Sequence, residues 1–472
     1  MEIKKYAVGK TVAEAFGIAL PCGGKGKCGG CKVEVRGQLS PPDSTEAALL
    51  KGCPEGTRLA CRALCMGKVT VTLPDDTITA ITDTFDSYPT LAPLSEGNTG
   101  AAIDIGTTTI AAKLIDSTTG KVLAQAVMPN PQSRFGADVT SRMESAINGA
   151  GEELRAVITS AVLEILQKLT DAPVHTTVVV GNTTMLHLLA GEDLSGMATA
   201  PFTPANRFGQ FYSAADLVGK CSHGRFYLGP CVSAFVGADT TAAVVACSGN
   251  TKGSILICDI GTNGELALVK NGKVTCTSTA AGPALEGAEI SCGMTAKSGA
   301  IESVKAVNGV LTVKTVGNTP AEGICGSGLI SAAAALLDAG ILSPDGYLPE
   351  PVELAKGVTL LPSDIRKLQT AKAAIRAGIE VLTEGEIPDR VIIAGGFGHY
   401  LDTEDCIRIG LLPEWVRGKT VSVGNAALTG ACMMLQNSSL TETAKTVAKA
   451  AKLTELDLSE RFSELYIENM KF

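Results

Sequence analysis

The spacing of apolar residues changes along this chain and predicts different elements in its two parts. In the first 85 residues, apolar and polar positions alternate at 33–35 and 69–73, which predicts strands, and residues 12–16 have the spacing of a short helix. Further along, an apolar stripe with helical period runs from Leu154 to Leu169, which predicts an amphipathic helix. The first part is therefore predicted to be rich in strands, and the second to contain longer helices.

Short continuous apolar runs alternate with these helices. The runs at 176–180, 254–258 and 390–393 each end in a turn that contains glycine, as buried strands do. Strands that alternate with helices indicate an α/β body from residue 101 onward. A stretch rich in Pro, Ser and Gly precedes this body, so residues 86–100 are predicted to form a linker.

Composition and charge exclude several classes of protein. Hydrophobic residues make up 45% of the 472 residues and charged residues 19%, so the chain is neither disordered nor fibrous. A net charge of −8 argues against nucleic acid or an anionic membrane as a partner. No apolar run approaches the ~20 residues that span a bilayer, and the N-terminus lacks the pattern of a signal peptide. We therefore expect a cytoplasmic protein whose fifteen cysteines are reduced, some of them as metal ligands.

Six of the cysteines lie in the first 85 residues, and three of these share one glycine-rich loop. The arrangement is that of iron–sulfur cluster ligands: the loop contains Cys22, Cys28 and Cys31, and the later stretch Arg-Leu-Ala-Cys contributes Cys61. The glycines allow backbone N–H groups to approach the sulfurs of a cluster. Ordinary buried cysteines and a zinc site with four cysteine ligands are the alternatives.

The sequence around these cysteines resembles that of 2Fe–2S ferredoxins. The resemblance is to ferredoxins with a longer loop, because the gap after Cys22 is one residue longer than the plant-type spacing. It implies that Cys61, rather than Cys53 or Cys65, is the fourth ligand of a 2Fe–2S cluster. Residues 9–11, Gly-Lys-Thr, lack the first glycine of a P-loop and are interpreted as part of the first ferredoxin hairpin.

Two apolar strands end in the same sequence, Asp-Ile-Gly-Thr, at Asp104 and at Asp259. A tight hairpin of this kind presents backbone N–H groups and hydroxyls to phosphates, and the carboxylate beside them suits Mg²⁺ or its waters. An ordinary β-turn explains one such hairpin equally well. The second copy, together with the late sequence Ala-Gly-Gly-Phe-Gly at 394–398, makes a nucleotide site the more specific interpretation.

Four further stretches each have a functional and a structural interpretation. Two stretches, 324–330 and 178–186, are predicted to begin helices, and a small-residue helix at 331–338 follows the first. Each helix start either binds an anion or is a capped turn that packs closely. Residues 130–138 are predicted to be a solvated loop. Asp239, at the start of another predicted helix, either positions an attacking water or caps that helix.

The two hairpins and the late glycines resemble the actin-like ATPase superfamily of sugar kinases, heat-shock chaperones and actin. The resemblance implies two related, ribonuclease H-like lobes that clamp ATP and Mg²⁺, with connecting helices that begin near residues 235 and 424. The residues that it implies for catalysis are Asp104, Asp259 and Asp239. The residues that it implies for ATP binding are Gly106, Thr107, Thr108, Thr109, Gly261, Thr262, Asn263, Gly326, Ser327, Gly395, Gly396 and Phe397.

A ferredoxin-type domain ahead of an actin-like ATPase resembles the reductive activators of corrinoid-dependent enzymes over nearly the whole chain. Further stretches that carry the resemblance are 130–138, 178–188, 281–288, 323–329 and 456–462. Members of that family use ATP to return an inactive Co(II) corrinoid to Co(I). Longer relatives have additional linker and middle domains between the cluster and the ATPase. Only residues 86–100 separate the two here, so we expect this chain to lack the middle domain.

The resemblance implies a fold class, a domain division and a function. We expect an α+β ferredoxin-like (β-grasp) domain and then a two-lobed α/β actin-like ATPase. The expected ranges are 1–85 for the first domain, 86–100 for the linker, 101–250 for lobe I, 251–425 for lobe II and 426–472 for a C-terminal helix and tail that return to lobe I. The implied function is electron transfer from a 2Fe–2S cluster to the corrinoid protein of a methyltransferase system. An upstream ferredoxin, flavodoxin or reductase would supply the electron, and the sequence leaves a homodimer open.

Two other functions fit parts of the pattern. A small-metabolite kinase with a regulatory cluster would use both hairpins to phosphorylate a hydroxyl or a carboxylate. A nucleotide-dependent redox-sensing module would bind ATP without driving electron transfer. The chain has a one-electron carrier and an ATPase, and no recognisable site for flavin, nicotinamide or a small substrate, which favours the reductive activator.

Overall fold

The computed structural model describes most of the chain, including both predicted hairpins and two of the four predicted cluster ligands. The described residues are 2–16, 18, 26, 31–51, 53–54, 56–72, 86–95, 97–219, 224–249, 253–307, 310–395, 401–457 and 459–472.

The N-terminal part of the chain folds as a four-stranded sheet with two short helices. The strand order is β1-β4-β2-β3, and neighbouring strands are antiparallel. Val33 of β2 and Val69 of β4 face inward and form the core of this unit with Val12 and Phe16. On each of these two strands the positions that alternate with the buried ones are exposed or partly exposed. The elements are β1 Glu2–Thr11, α1 Val12–Phe16, β2 Lys32–Leu39, α2 Ser44–Leu49, β3 Thr57–Leu59 and β4 Leu64–Thr72.

Residues 9–11 do not form the hairpin that the sequence predicted. β1 continues through Thr11 directly into α1, and its partner is β4, where Val8 lies opposite Met66. Gly9 has a φ of 75°, and the register between the two strands shifts after Val8. The interpretation as a hairpin is wrong because β1 pairs with the last strand of the unit, a choice that depends on contacts distant in sequence.

Two six-stranded sheets with the same core topology form the rest of the fold. In each, three antiparallel strands follow one another, and a later strand adds parallel to the first of them. The first sheet, in the order β7-β6-β5-β8-β10-β9, consists of β5 Thr99–Ile105, β6 Thr109–Asp116, β7 Val122–Pro129, β8 Thr176–Gly181, β9 Gln210–Ser213 and β10 Arg225–Leu228. The second, in the order β20-β19-β11-β12-β13-β21, consists of β11 Ser254–Ile260, β12 Gly264–Lys270, β13 Lys273–Thr279, β19 Arg390–Ala394, β20 Thr420–Gly424 and β21 Lys452–Leu453. We call the two sheets with their helices lobe I and lobe II.

Two small sheets belong to lobe II. Their strands are β14 Ala300–Val307, β15 Val310–Thr315 and β16 Gly323–Ile324 in one, and β17 Val352–Ala355 and β18 Val358–Leu360 in the other.

Helices cover both large sheets, and α4 carries the predicted apolar stripe, with Leu154, Ile158 and Ile165 fully buried. No helix in the described ranges combines the length and the apolar character needed to cross a bilayer. The helices of this part are α3 Val139–Ser145, α4 Gly151–Leu169, α5 Thr183–Ala190, α6 Ser195–Ala198, α7 Ala214–Leu217, α8 Ala238–Ser248, α9 Gly326–Asp338, α10 Pro362–Thr383, α11 Thr403–Arg408, α12 Ala426–Gln436, α13 Ser439–Ala450 and α14 Glu460–Glu468. Short 3-10 helices lie at Pro131–Arg134, Pro283–Glu286, Val316–Asn318 and Glu414–Val416, and a π-helical turn at Ala146–Ala150.

The helices α8 and α12 connect the two lobes and pack against each other. α8 contacts β8 of lobe I and β11 and β12 of lobe II, and α12 returns to β5 and β8 of lobe I. The two helices meet at Gly430, where a Cβ atom would lie 2.1 Å from the carbonyl oxygen of Ala242. They begin near the two positions that the sequence indicated for connecting helices.

Residues 86–95 pack on lobe I and do not form a free spacer. Tyr88 is 3% exposed, and the N–H of Leu94 donates to the carbonyl oxygen of Leu435 in α12 at 2.8 Å. Apolar side chains of this stretch, Tyr88 and Leu94, are buried in the core of lobe I, and the division into domains with a linker at 86–100 stays a prediction. Residues 73–85 lie outside the described residues.

Candidate functional site

The turn between β5 and β6 is the first predicted phosphate hairpin. The N–H of Gly106 donates to the carbonyl oxygen of Thr109 at 2.9 Å and closes the turn. A Cβ atom at Gly106 would lie 2.8 Å from that oxygen, so the turn requires glycine there. Thr107 and Thr108 form the tip, and Asp104 precedes it on β5.

The turn between β11 and β12 repeats this arrangement in lobe II. The N–H of Gly261 donates to the carbonyl oxygen of Asn263 at 3.0 Å. Asp259 and Glu265 lie opposite each other on the two strands, and Thr262 lies at the tip. Both Asp-Ile-Gly-Thr sequences therefore form tight hairpins, as predicted.

Residues 130–138 support the first hairpin from inside the protein. Asn130 is 0% exposed, and its Nδ2 donates to the carbonyl oxygen of Gly106 at 2.8 Å. Arg142 of α3 is also buried, and its Nη2 donates to the carbonyl oxygen of Thr107 at 2.6 Å. Burial lowers the pKa of Arg142 to about 10, so its side chain stays charged near neutral pH. The prediction of a solvated loop is wrong for Asn130 and Gln132, which are fully buried, and holds for Arg134, which is exposed.

Elements of both lobes converge on one cleft. It lies between the two hairpins and includes the first residues of α8 and α9, the end of β19 and the start of α12. The predicted residues that line it are Asp104, Gly106, Thr107, Thr108, Thr109, Asp239, Asp259, Gly261, Thr262, Asn263, Gly326, Ser327 and Gly395. Gly396 and Phe397, also predicted, lie outside the described residues.

The start of α9 faces this cleft. The helix begins at Gly326, five residues earlier than the sequence predicted, because its small residues pack inside the protein from the first turn. Cys325 precedes the helix and provides no side-chain cap; its Sγ lies 3.2 Å from the carbonyl oxygen of Ile301. The first N–H groups of α9 are therefore available to an anion beside Gly326 and Ser327.

Two asparagines that the sequence analysis did not select hold the first hairpin. The Nδ2 of Asn182 donates to Thr107 Oγ1 at 3.1 Å, and the Nδ2 of Asn425 donates to Asp104 Oδ2 at 2.7 Å. The Oδ1 atoms of the same side chains cap α5 and α12. Each asparagine thus caps a helix and orders the cleft. Capping and packing, the structural interpretation of residues 178–186, is confirmed, and anion binding there stays a prediction.

Glu286 joins the two hairpins and was also not predicted. Its Oε2 accepts hydrogen bonds from the hydroxyls of Thr108, at 2.8 Å, and of Thr262, at 2.9 Å. Its Oε1 accepts from the N–H of Thr262 at 3.0 Å. The sequence around Glu286 contains no strand–turn pattern that marks a nucleotide site, and so offered no signal for this contact.

Carboxylates gather at the cleft and disfavour each other's ionised forms. Burial raises the pKa of Asp259 to about 8, and the charges of Asp239 and Asp104 add to this shift. Burial raises the pKa of Asp104 to about 7 and that of Asp239 to about 6. Burial, with repulsion from Asp239 and Asp259, also raises the pKa of Glu265 well above its usual range. Such a group of acids favours a divalent cation beside it.

The distances between these acids determine whether protein side chains alone could bind a cation. Across the described part of the chain, no three His, Cys, Asp or Glu side chains stand close enough together to hold a metal ion. The acids that could lie beside a magnesium ion are Asp104, Asp239 and Asp259; in nucleotide sites Mg²⁺ usually keeps several waters and takes other ligands from phosphates.

Two of the four predicted cluster ligands lie side by side in the N-terminal unit. The Sγ atoms of Cys31 and Cys61 are 3.2 Å apart, far more than the ~2.05 Å of a disulfide. One tetrahedral metal ion with sulfurs at about 2.3 Å needs a separation of about 3.8 Å, so a small adjustment lets both thiolates bind it. Cys65 is 0% exposed and packs in the domain core. Cys22 and Cys28 lie outside the described residues, so the set of four ligands stays a prediction.

Comparisons with known proteins identify the family. A profile of the RACo middle region matches residues 99–251, and one of the C-terminal domain of RACo, its ASKHA domain, matches residues 253–472. The corrinoid activation enzyme RamQ of Eubacterium limosum is 33% identical over 424 residues, which cover 79% of this chain and 70% of that protein. The chain belongs to the RACo family of corrinoid reductive activators.

Other similar proteins support membership of the RACo family. The [Co(II) methylated amine-specific corrinoid protein] reductase of Methanosarcina barkeri is 27% identical over 419 residues, covering 79% of this chain and 77% of that protein. The solved structure of a reductive activator for a corrinoid, iron–sulfur protein matches with a TM-score of 0.73 and 27% identity, covering 99% of this chain and 96% of that one. The predicted fold class, with its actin-like (ASKHA) ATPase, is confirmed.

Membership of the RACo family also corrects one prediction. The middle domain that we expected this chain to lack is present, because the RACo middle region matches residues 99–251. This region is lobe I. The error arose because lobe I carries the first Asp-Ile-Gly-Thr hairpin and was assigned on that motif to the ATPase alone.

Proposed function

We propose that this protein is an ATP-dependent reductive activator. It passes an electron from a 2Fe–2S cluster to the Co(II) corrinoid of a partner protein of a methyltransferase system and so returns the corrinoid to Co(I). The observation that carries this proposal is the convergence of two phosphate hairpins on one cleft in a member of the RACo family. The functions of the two similar proteins, corrinoid activation and reduction of a Co(II) corrinoid protein, support the choice of partner.

The cleft has the groups that ATP requires. The hydroxyls and N–H groups at the two hairpin tips, with the free N–H groups of α9, would hold the phosphates. Gly395 follows β19 with a φ of 91°, and a Cβ atom there would lie 2.4 Å from Asp259 Oδ1, so only glycine lets this backbone pass the carboxylate. We assign residues 395–398 to the adenosine on the resemblance to actin-like ATPases.

The carboxylates of the cleft would have different roles in ATP hydrolysis. Asp104 and Asp259 would hold Mg²⁺ through its waters, and the ion would stabilise negative charge on the phosphates. Asn425 holds the carboxylate of Asp104 in place. Asp239 accepts the N–H of Thr240 at 2.7 Å, and its pKa of about 6 suits a group that accepts a proton from an attacking water near neutral pH.

The N-terminal unit orders the thiols that would hold the cluster, which supplies one-electron chemistry. The N–H of Ala60 donates to the carbonyl oxygen of Cys31 at 2.8 Å and brings Cys61 beside it. Arg58 donates through Nε to Glu46 at 2.8 Å, and Glu46 is 1% exposed. This buried ion pair fixes the stretch that contains Cys61, so the two thiols are placed before any metal arrives.

ATP is needed because the electron transfer runs uphill. Each ~59 mV by which the cluster falls short of the Co(II)/Co(I) couple costs tenfold in a one-electron equilibrium. Two lobes that open and close supply conformational free energy if their states bind the partner differently. A ferredoxin, flavodoxin or reductase would deliver the electron to the cluster, and we place the reaction in the cytoplasm, where thiols stay reduced.

The test is anaerobic mixing of the reduced protein with candidate Co(II) corrinoid proteins, with and without Mg–ATP. We expect the Co(I) absorption spectrum to appear only when ATP is present and hydrolysed. The proposal fails if no corrinoid protein is reduced while the protein phosphorylates a small molecule at a comparable rate. That outcome would favour the kinase.

A further inference from the structure

One segment of lobe II contacts both the nucleotide cleft and the N-terminal unit. It comprises residues 283–291, which we call the coupling segment. It begins with the 3-10 helix Pro283–Glu286 and ends at Ser291. Its two ends have different partners outside lobe II: Thr108 of lobe I at one end and Lys32 of the N-terminal unit at the other.

The cleft end of the coupling segment is Glu286. Its carboxylate accepts the hydroxyls of Thr108 in lobe I and Thr262 in lobe II. Phosphate oxygens held at the hairpin tips would accept from the same two hydroxyls. The hydroxyls thus have two alternative acceptors, and a bound polyphosphate changes the position that Glu286 can occupy.

The far end of the coupling segment is Ser291. Its carbonyl oxygen accepts a hydrogen bond from Lys32 Nζ of the N-terminal unit at 3.1 Å. Its N–H and its hydroxyl both donate, at 3.0 Å, to Asp364 Oδ1 of α10, and Asp364 is 1% exposed. Lys32 follows Cys31 directly at the start of β2. Ser291 therefore joins a buried carboxylate of lobe II to the residue beside a predicted cluster ligand.

The residues between the two ends form a stiff connection. The N–H of Gly287, whose φ is 75°, donates to the carbonyl oxygen of Ala284 at 3.0 Å, and that of Ala288 donates to Pro283 at 3.1 Å. Leu285 is 0% exposed and anchors the turn in the core of lobe II. Internal hydrogen bonds thus hold residues 283–288, and Ile290, which is 7% exposed, packs in the core of lobe II. Packed interiors do not deform continuously, so a shift at Glu286 would be transmitted along the segment.

We propose that the coupling segment links nucleotide binding in the cleft to the cluster end of the N-terminal unit, with Glu286 as the positioning residue at one end and Ser291 at the other. The inference rests on the proposed nucleotide and cluster sites. Linkage is reciprocal, so the oxidation state of the cluster must change the affinity for nucleotide by the factor with which nucleotide changes the reduction equilibrium. We expect a factor of about five, at the lower end of typical coupling, which equals ~40 mV in the reduction potential.

Calorimetric titration with Mg–ADP, which binds without hydrolysis, measures this coupling in the oxidised and the dithionite-reduced protein. In the unmodified protein the two dissociation constants should differ about fivefold. Lys32→Met, which removes the contact with Ser291, should make them equal, and so should Glu286→Gln, which removes the charge that responds to phosphate. The matched control is Lys68→Met, an exposed lysine of β4 in the same unit, which should keep the difference.

A second measurement does not depend on redox state. Hydrogen–deuterium exchange of β2 should change when Mg–ADP is added to the unmodified protein and to the Lys68→Met variant, but not to the Lys32→Met variant. Equal affinities in the two oxidation states of the unmodified protein, or a full difference in Lys32→Met, would overturn the coupling while leaving the proposed function intact. A protein without a cluster spectrum, or one that does not bind Mg–ADP, would overturn both.

Discussion

At the scale of single residues, the acids of the cleft matter through their mutual repulsion. Asp259 lies opposite Glu265 on the second hairpin, and burial with neighbouring charge raises its pKa to about 8. Gly395 approaches it so closely that no side chain fits between them. We propose that a hydrated cation relieves this repulsion, which makes Asp259 the most informative residue to change.

We expect Asp259→Asn to lower the rate of ATP hydrolysis by about 100-fold or more, since a preorganised charge at the phosphates is removed from a water-poor site. The visible spectrum of the cluster should not change, because the two sites lie in separate units. Phosphate release and absorption spectroscopy measure the two effects. Asp171→Asn, at an exposed turn of lobe I, is the matched control. Hydrolysis within a few-fold of the unmodified protein would show that the metal is held elsewhere.

A buried lysine outside the cleft shows that burial shifts the pKa of a basic side chain in the opposite direction. Lys372 in α10 is 1% exposed, its Nζ donates to the carbonyl oxygen of Lys471, and it lies 5.2 Å from the ring of Phe472. These contacts favour the ammonium form. Burial nevertheless lowers the pKa to about 7, with repulsion from Arg376 adding to the shift.

We expect Lys372→Met to remove part of the pH dependence of stability. Lysine in the unfolded chain titrates near ~10.4, so between about pH 7 and 10 the unfolded state binds the proton that the folded state has lost, and stability rises with pH. Below about pH 7 both states are protonated and the cost of the buried charge is fully present. Thermal melts at pH 7 and pH 9 should show a larger gain in Tm for the unmodified protein than for the variant. Lys449→Met, at an exposed position, should behave like the unmodified protein. Equal gains in both variants would contradict the lowered pKa.

At the scale of the elements, the two connecting helices determine how the lobes can move. α8 and α12 pack so closely at Gly430 that the backbone of one helix contacts the backbone of the other. Asn425 starts α12 and binds Asp104, so the position of this helix also determines the position of a cleft carboxylate.

We expect Gly430→Ala to destabilise the protein by about 1–3 kcal/mol, because the new methyl group would lie 2.1 Å from the Ala242 carbonyl oxygen and the helices must move apart. ATP hydrolysis should fall with it, since the shift of α12 displaces Asn425. Urea unfolding and phosphate release measure the two effects. In Gly151→Ala the added Cβ meets only Ala146 O at 3.5 Å, so this control should be neutral or slightly stabilising. A neutral Gly430→Ala would mean that the helix contact can relax without cost.

At the scale of the whole molecule, the cluster ligands and the nucleotide cleft belong to separate units. Residues 86–95 are anchored on lobe I, and Lys32 contacts Ser291 in lobe II. The N-terminal unit is therefore in contact with the ATPase, and of its described cysteines, Cys31, Cys53, Cys61 and Cys65, none lines the cleft. Loss of the cluster should therefore abolish electron transfer and leave ATP hydrolysis in place.

We expect Cys61→Ser to abolish the 2Fe–2S absorption and the reduction of a Co(II) corrinoid protein, while Mg–ATP hydrolysis without a partner continues at a rate close to that of the unmodified protein. Iron and sulfide analysis after anaerobic reconstitution, with phosphate release, measures both. Cys53→Ser is the matched control and should keep the cluster. The reverse pattern, with the cluster lost only in Cys53→Ser, would make Cys53 the fourth ligand.

The sequence by itself determined those features that depend on residues close together in the chain. A tight hairpin needs only its strand, its glycine and its threonine, so both phosphate hairpins could be read from Asp-Ile-Gly-Thr, and the α4 stripe from its period. The pairing of β1 with β4 and the match of residues 99–251 to the RACo middle region were not local in this sense, so the hairpin at 9–11 and the absence of a middle domain were predicted wrongly.

Only the tertiary structure decided which polar side chains support the site. Asn130 holds a carbonyl group 24 residues away, Glu286 a hydroxyl 178 residues away, and Lys32 a carbonyl group 259 residues away. A polar residue in a loop gives the same local pattern whether it faces water or a distant backbone group, because its partner is chosen by packing. For that reason residues 130–138 were taken for a solvated loop, whereas Asn130 is buried behind the first hairpin and supports it.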